Sequence, residues 1–444
     1  MKKLQRRAYS ALIVALCLLL GMGVYVGRFA AHAREWAGFS GNGAVYENGK
    51  VLTGTVTDRS GLVLASVENG KRVFASDAAV RTACIHVVGD REGNIGTGAL
   101  TLFAKELSAY SPVTGLEAGG GTVTLSVDAA LQTAALDALA GRKGAVAVMD
   151  YITGELLCLV SSPAFDPDVG IDETDSRWDG AYLNRCISAA YTPGSVFKLV
   201  TLAAALENLS DLYERRFDCT GSLTVDGNQI TCTAVHGGQT IEQALANSCN
   251  CAFAQLALEL GGETLSRYAA QLGLSGSLTL NGVTTTPGRY DAAAADGSAD
   301  LAWSGVGQST DLVCPLAMLR LSAAIAAGGT VAEPTLLAGD KTVRNNIMST
   351  DTADRLKDMM NYNVAAVYGE WNFPGLHLCA KSGTAEVGDG TSHAWFTGFL
   401  DDASHPYAFV VVIENGGGGA RNAGPVANTV LQKAIELTDG AESK

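Results

Sequence analysis

Ser195 and Lys198 stand three residues apart in Tyr191-Thr-Pro-Gly-Ser-Val-Phe-Lys198. Pro193 and Gly194 break the chain, and the Leu- and Ala-rich run that follows reads as a helix. Both side chains then share one helix face. A serine at a helix start is either a cap or a nucleophile. A nucleophile needs a base, and a lysine kept unprotonated by burial can be one. The helix start also offers positive potential to a developing oxyanion. Alone, this spacing favours the cap. Two further stretches change the balance. Ser248-Cys-Asn250 offers a hydroxyl and an amide, and Lys381-Ser382-Gly383-Thr384 offers a second amine and two hydroxyls on an expected strand. Each has a plain reading as a helix-ending turn or a bulged strand. In this order they are the S-x-x-K, S-x-N and K-[ST]-G set of acyl-enzyme chemistry.

The elements that must position them follow from patterning. Residues 127–140 read as a helix capped by Asp128, and residues 144–150 and 155–161 as a hairpin over Thr153-Gly154. Asp226-Gly227 marks a second hairpin, and residues 240–272 are mostly helical. More helix surrounds 312–327. Residues 376–387, 394–400 and 407–414 read as strands, the last two antiparallel, before a final helix over 426–437. Helices placed before and after an antiparallel sheet give an α+β domain.

The 444 residues suit two or three domains, and 47% hydrophobic against 17% charged residues excludes a disordered chain. Six of the 31 basic residues precede the first acidic one, Glu35, so the remainder carries 25 basic against 45 acidic residues. That balance argues against a nucleic-acid partner, which needs a clustered basic face. Residues 8–27 form an uncharged apolar run long enough to cross a bilayer, with four basic residues before it. The expectation is an uncleaved anchor with a cytoplasmic tail (1–7). A cleaved signal peptide ending near Ala31-His-Ala33 is the other reading. Residues 28–118 read as a small pedestal, Ala118-Gly-Gly-Gly121 as a linker, and 119–444 as the main domain.

With the three motifs in order, the chain resembles a class B penicillin-binding protein, a serine D,D-transpeptidase of the penicillin-binding protein A-like, division-type group. The resemblance extends from about Gly54 to the C-terminus. It includes Asp58-Arg-Ser-Gly61, Ser162-Pro-Ala-Phe-Asp-Pro167, Asn184-Arg185, Gly305-Val-Gly-Gln308, Cys314-Pro315 and Ala394-Trp-Phe-Thr-Gly-Phe399. It implies a penicillin-binding, β-lactamase-like fold, an antiparallel sheet flanked by helices with a helical subdomain. It implies that Ser195 attacks the D-Ala-D-Ala carbonyl of a peptidoglycan stem peptide, with Lys198 as base and Ser248 as proton relay. Asn250 would bind the substrate amide. Lys381, Ser382, Gly383 and Thr384 would receive the terminal carboxylate, and the N–H groups of Ser195 and Thr384 would form the oxyanion hole. An amine from a neighbouring strand would complete the cross-link. β-Lactams would be covalent inhibitors, and a membrane glycosyltransferase a possible partner. No cofactor is implied. Ser382 stands where threonine is more frequent, and the short pedestal leaves no room for a glycosyltransferase domain.

Alternatives of the same fold are a D,D-carboxypeptidase or a β-lactamase or β-lactam sensor. A non-catalytic scaffold of the cell-wall machinery is the alternative of another class. The six histidines show no paired ligand spacing and Cys249-x-Cys251 lacks a second pair, so no metal site is expected. Cys219 and Cys232 flank the Asp226-Gly227 hairpin, where a disulfide and two buried thiols are equally open readings.

Overall fold

The computed structural model describes residues 2–37, 46–47, 50–109, 119–291, 297–388 and 390–442. Its centre is a five-stranded antiparallel sheet. Its order is Leu378–Glu386, Ser392–Leu400, Tyr407–Ile413, Gly144–Asp150, Leu156–Ser162. Both hairpins expected from the pattern are present, with Val146 opposite Val160 and Phe396 opposite Val411. All strands but the first are almost wholly buried, because both faces are covered. Val146, Val148, Phe396, Phe409 and Val411 turn to one face. There they meet Leu131, Leu139, Val430 and Leu431 from the helices Ala129–Leu139 and Gly424–Glu442. Ala145, Ala147, Trp395, Val410 and Val412 turn to the other, against the helices Lys198–Asn208 and Pro315–Ala326. The strict alternation of strand side chains produces the two cores.

The pedestal is a four-stranded sheet, Lys71–Phe74, Val63–Glu68, Thr55–Thr57 and Thr122–Thr124, the last pair parallel. The expected linker does not separate two bodies. Its first residue, Ala118, lies outside the described residues, but Gly54 and Thr55 donate to the carbonyls of Gly119 and Gly121 at 3.0 and 2.9 Å. The chain therefore continues as the pedestal's own edge strand. Asp58 ties the pedestal to the main domain: its buried carboxylate accepts from Ser60 and Leu62 and, at 3.1 Å, from Ala129 N–H at the start of the next helix.

The N-terminal helix is longer than expected, Lys2–Ala37, about 54 Å at 1.5 Å per residue. Its most apolar 18-residue window has a mean hydropathy of 2.3 and is wholly exposed, so the helix is long and apolar enough to cross a membrane.

Candidate active site

The nucleophile stretch folds as a short 3-10 turn, Gly194–Phe197, that runs into the helix Lys198–Asn208. Gly194 has φ 56° and lies so close to the edge strand that a Cβ there would stand 2.7 Å from the Thr384 carbonyl. Across the same contact, a Cβ on Gly383 would stand 2.9 Å from the Pro193 carbonyl. These two glycines let the nucleophile turn and the third motif touch backbone to backbone. Gly194 N–H donates to Gly307 at 2.8 Å, and the Trp395 indole donates to Thr192 at 3.0 Å, so the turn is held on both sides.

Ser248 sits between the helices Ile241–Ala246 and Asn250–Leu260 with φ 52°, a left-handed conformation unusual for serine. That geometry brings its side chain to Lys198. The Lys198 amine lies 3.0 Å from Ser195 Oγ, 3.1 Å from Ser248 Oγ, 2.6 Å from Ser248 O and 2.8 Å from Asn250 Oδ1. Lys381 lies 3.1 Å from Ser248 Oγ and 2.8 Å from Ser382 O. The three motifs separated in sequence thus meet around one hydroxyl, Ser248.

Both lysines are fully buried, and neither forms an ion pair among the described residues. Burial pulls Lys198 down from 10.5 to about 7. Burial, and then the neighbouring Lys198 charge, holds Lys381 well below its ordinary value. A neutral Lys198 accounts for its surroundings. An ammonium has three donors for four acceptor atoms. A neutral amine gives two N–H bonds to Ser248 O and Asn250 Oδ1 and turns its lone pair to a serine hydroxyl. The arrangement can accept the Ser195 proton and pass a proton through Ser248. It opens on a cleft of about 540 Å³ lined by Ser195, Ser248, Asn250, Ser382 and Thr384 among others.

The structure brings together every site residue expected from sequence, and it adds a brace behind Ser382. Ser382 N–H donates to the Tyr368 hydroxyl at 2.8 Å, and that hydroxyl donates to Ser382 Oγ at 3.0 Å. Ser382 Oγ accepts from Tyr368 and keeps its own O–H to donate into the cleft, and Thr384 is the more exposed hydroxyl of the motif. Tyr368 ends the π turn Val364–Tyr368 after the helix Thr350–Asn363, whose Asn363 donates to Ala380 O at 2.9 Å. Sequence reasoning passed over this brace. The helix has a legible signal in its Ser349 cap and in Leu356, Met359, Met360 and Asn363 at helical spacing, but a π turn has none.

Of the two readings left open for Cys219 and Cys232, the structure has the free thiols. The Asp226-Gly227 hairpin forms with Val225 opposite Asn228, but Cys232 N–H bonds to Gly221 while Cys219 pairs with Gly237 in a separate two-stranded sheet. No disulfide joins Cys219 and Cys232. Although the sequence shows no paired ligand spacing, the fold brings one histidine and three cysteines together. Cys219, Cys232, His236 and Cys249 come together with all ligand atoms within 4.8 Å of one another.

Residues 144–435 match the penicillin-binding protein transpeptidase domain. The chain is similar to peptidoglycan D,D-transpeptidase PbpA of Mycobacterium tuberculosis, 28% identical over 76% of each chain. It is also similar to stage V sporulation protein D of Bacillus subtilis, 28% identical over 66% of this chain and 49% of the relative. Among solved structures, the D,D-transpeptidase domain of a peptidoglycan glycosyltransferase from Eggerthella lenta superposes with a TM-score of 0.75 at 28% identity. It covers 87% of this chain and 98% of that one. The ceftriaxone acyl-enzyme of M. tuberculosis penicillin-binding protein A superposes with a TM-score of 0.74 at 25% identity, covering 86% and 98%. With its sheet, its three converging motifs and a domain match over most of its length, the chain belongs to the penicillin-binding protein transpeptidase family.

Proposed function

We infer that the chain is a serine D,D-transpeptidase that cross-links peptidoglycan stem peptides and is acylated by β-lactams. The observation that carries this is the Ser195–Lys198–Ser248–Lys381 network, whose buried lysines and cleft-lining serines supply a nucleophile, a neutral base and a relay in hydrogen-bond reach. Lys198 takes the Ser195 proton as Oγ attacks the penultimate D-Ala carbonyl. Ser248, fed by Lys198 and Lys381, returns a proton to the departing D-Ala amine. Thr384 and the N–H groups of Lys381 receive the terminal carboxylate beside Ser382 and Gly383, and Asn250 orients the substrate amide. The touching backbones of Gly194-Ser195 and Gly383-Thr384 support an oxyanion hole made from the Ser195 and Thr384 N–H groups. The acyl-enzyme then passes to an acceptor amine of a neighbouring strand.

The helix Lys2–Ala37 anchors the protein, with the basic Lys2, Lys3, Arg6 and Arg7 on the cytoplasmic side and the cleft facing the wall. A membrane glycosyltransferase that makes the strands is the matching partner. No carboxylate hydrogen-bonds Ser195 or Lys198 among the described residues, so water activation is weak and the penicilloyl adduct is long-lived. Full-length protein in detergent, treated with fluorescent penicillin, should show one stable label per chain. Rapid multiple turnover of penicillin would make it a hydrolase instead.

A further inference from the structure

Beside Ser248 and Asn250, four potential ligands converge from four elements. Cys219 ends the strand Phe217–Cys219, and Cys232 follows the strand Asn228–Thr231. His236 precedes the strand Gly237–Gln239, and Cys249 caps the helix Asn250–Leu260. In sequence they are C-x12-C-x3-H-x12-C. Cys219 and Cys249 are fully buried, while Cys232 and His236 are half-buried.

The separations fit a tetrahedral ion. With zinc bonds of about 2.3 Å to sulfur and about 2.0 Å to nitrogen, tetrahedral angles put two sulfurs about 3.8 Å apart and a sulfur and nitrogen about 3.5 Å apart. Cys232 Sγ lies 3.8 Å from Cys249 Sγ and 3.4 Å from His236 Nδ1. A disulfide would use two of these sulfurs and leave the remaining thiol and the imidazole unexplained. Its S–S bond of about 2.05 Å is also far shorter than the separation found. Three soft thiolates and one imidazole form the ligand set of a closed structural zinc site, and the donors leave no open position.

We propose that Cys219, Cys232, His236 and Cys249 bind one zinc ion, and that this ion positions the Ser248–Asn250 turn of the active site. The three thiols give up their protons as the sulfurs bond the metal, and His236 binds through Nδ1 as the neutral ring. The coupling to the cleft is short. Cys249 lies between Ser248 and Asn250. The Asn250 backbone N–H points at Cys232 Sγ at 3.2 Å, the outer-shell bond expected of a metal thiolate. The Asn250 side chain donates to Thr231 O at 2.8 Å and accepts from Lys198 at 2.8 Å. Cys232 also borders the cleft itself. One ion at this point fixes the hairpin Ser222–Thr231, the paired strands beside it and the left-handed Ser248 together. Cys219, Cys232, His236 and Cys249 act as positioning residues, working through the Ser248–Asn250 turn.

The test uses the full chain in detergent, purified under reductant and without chelator. Metal analysis should find one zinc per chain in wild type and its loss in Cys219→Ser and His236→Ala. Because those variants can fail to fold, the wild-type chain is also stripped with a chelator and reloaded with cobalt(II). Thiolate-to-cobalt charge-transfer bands and intense tetrahedral d–d bands are expected. Stripping should slow acylation by fluorescent penicillin several-fold, and added zinc should restore it. Wild-type protein that takes up neither zinc nor cobalt overturns the site. So does mapping of a Cys232–Cys249 or Cys219–Cys232 disulfide in protein from intact membranes. An acylation rate unchanged on stripping overturns the positioning role, while leaving the serine chemistry untouched.

Discussion

Two groups of buried cations flank the nucleophile loop, and they are treated in opposite ways. On one side Arg185, only 3% exposed, donates to Glu414 at 2.7 Å and to Gly180 O, and Tyr191 donates to the same carboxylate at 2.8 Å. Burial alone would push Glu414 up, but the Arg185 and Tyr191 bonds outweigh it and hold the carboxyl below its ordinary range. On the other side Lys198 and Lys381, both wholly buried, have hydroxyls, an amide and carbonyls but no countercharge. The first group is a finished ion pair that fixes Tyr191 and the chain leading to Ser195. The second is left electrostatically unfinished, so the lysines shed their protons. Cations that are paired hold architecture, and cations that are buried unpaired become bases.

Substitutions should separate the two. Lys198→Met removes the base and should slow acylation by about 10²–10⁴-fold. The same change relieves a buried amine, so the melting temperature should stay level or rise, and a fall of several degrees would contradict the contrast. Glu414→Gln does the reverse. It strands the Arg185 charge and should cost about 3–5 kcal/mol in denaturant unfolding. Its acylation loss should be smaller than that of Lys198→Met.

Titration sharpens the comparison further. Lys198 is the base only when neutral. Acylation should therefore rise about tenfold per pH unit below about 7 and level off above it. Stability falls with falling pH at both groups, but for different reasons and in different windows. The folded Lys198 pKa is depressed from 10.5, so the unfolded chain takes up that proton first. The penalty grows as pH falls from 10.5 to about 7 and is constant below. Glu414 is also depressed, but as a carboxyl. Its contribution is present above its unfolded pKa and is lost as pH falls through its folded value. A stability curve that fell from alkaline pH to neutrality in wild type but not in Lys198→Met would match this. The smallest effect is expected at Tyr368→Phe, which removes both bonds to Ser382. It should cost about 1 kcal/mol in acylation, some fivefold, with the fold intact.

Ser195, Lys198, Ser248, Asn250, Lys381 and Thr384 were legible because each motif sits within a few residues of the chain, at or beside the start of a helix or on a strand. Spacing on a helix or strand then predicts which side chains meet. The sheet was legible for the same reason, since residues 144–162 and 392–413 alternate or run apolar between clear turns. The cysteine cluster was not, because each ligand lies at the end of a different element and only the crossing of two small sheets joins them. Tyr368 was hidden by its π turn. The pedestal boundary was misjudged because Gly119–Gly121 looks like a linker, whereas its backbone is paired with Gly54 and Thr55.

The most direct measurement is mass spectrometry of proteolytic peptides from full-length protein acylated with penicillin, taken beside Ser195→Ala. The adduct should map to Ser195 alone, and the variant should carry none while keeping the wild-type melting temperature. An adduct on Ser248 or Ser382, or persistent labelling of Ser195→Ala, would contradict the assignment of Ser195 as nucleophile and Lys198 as its base.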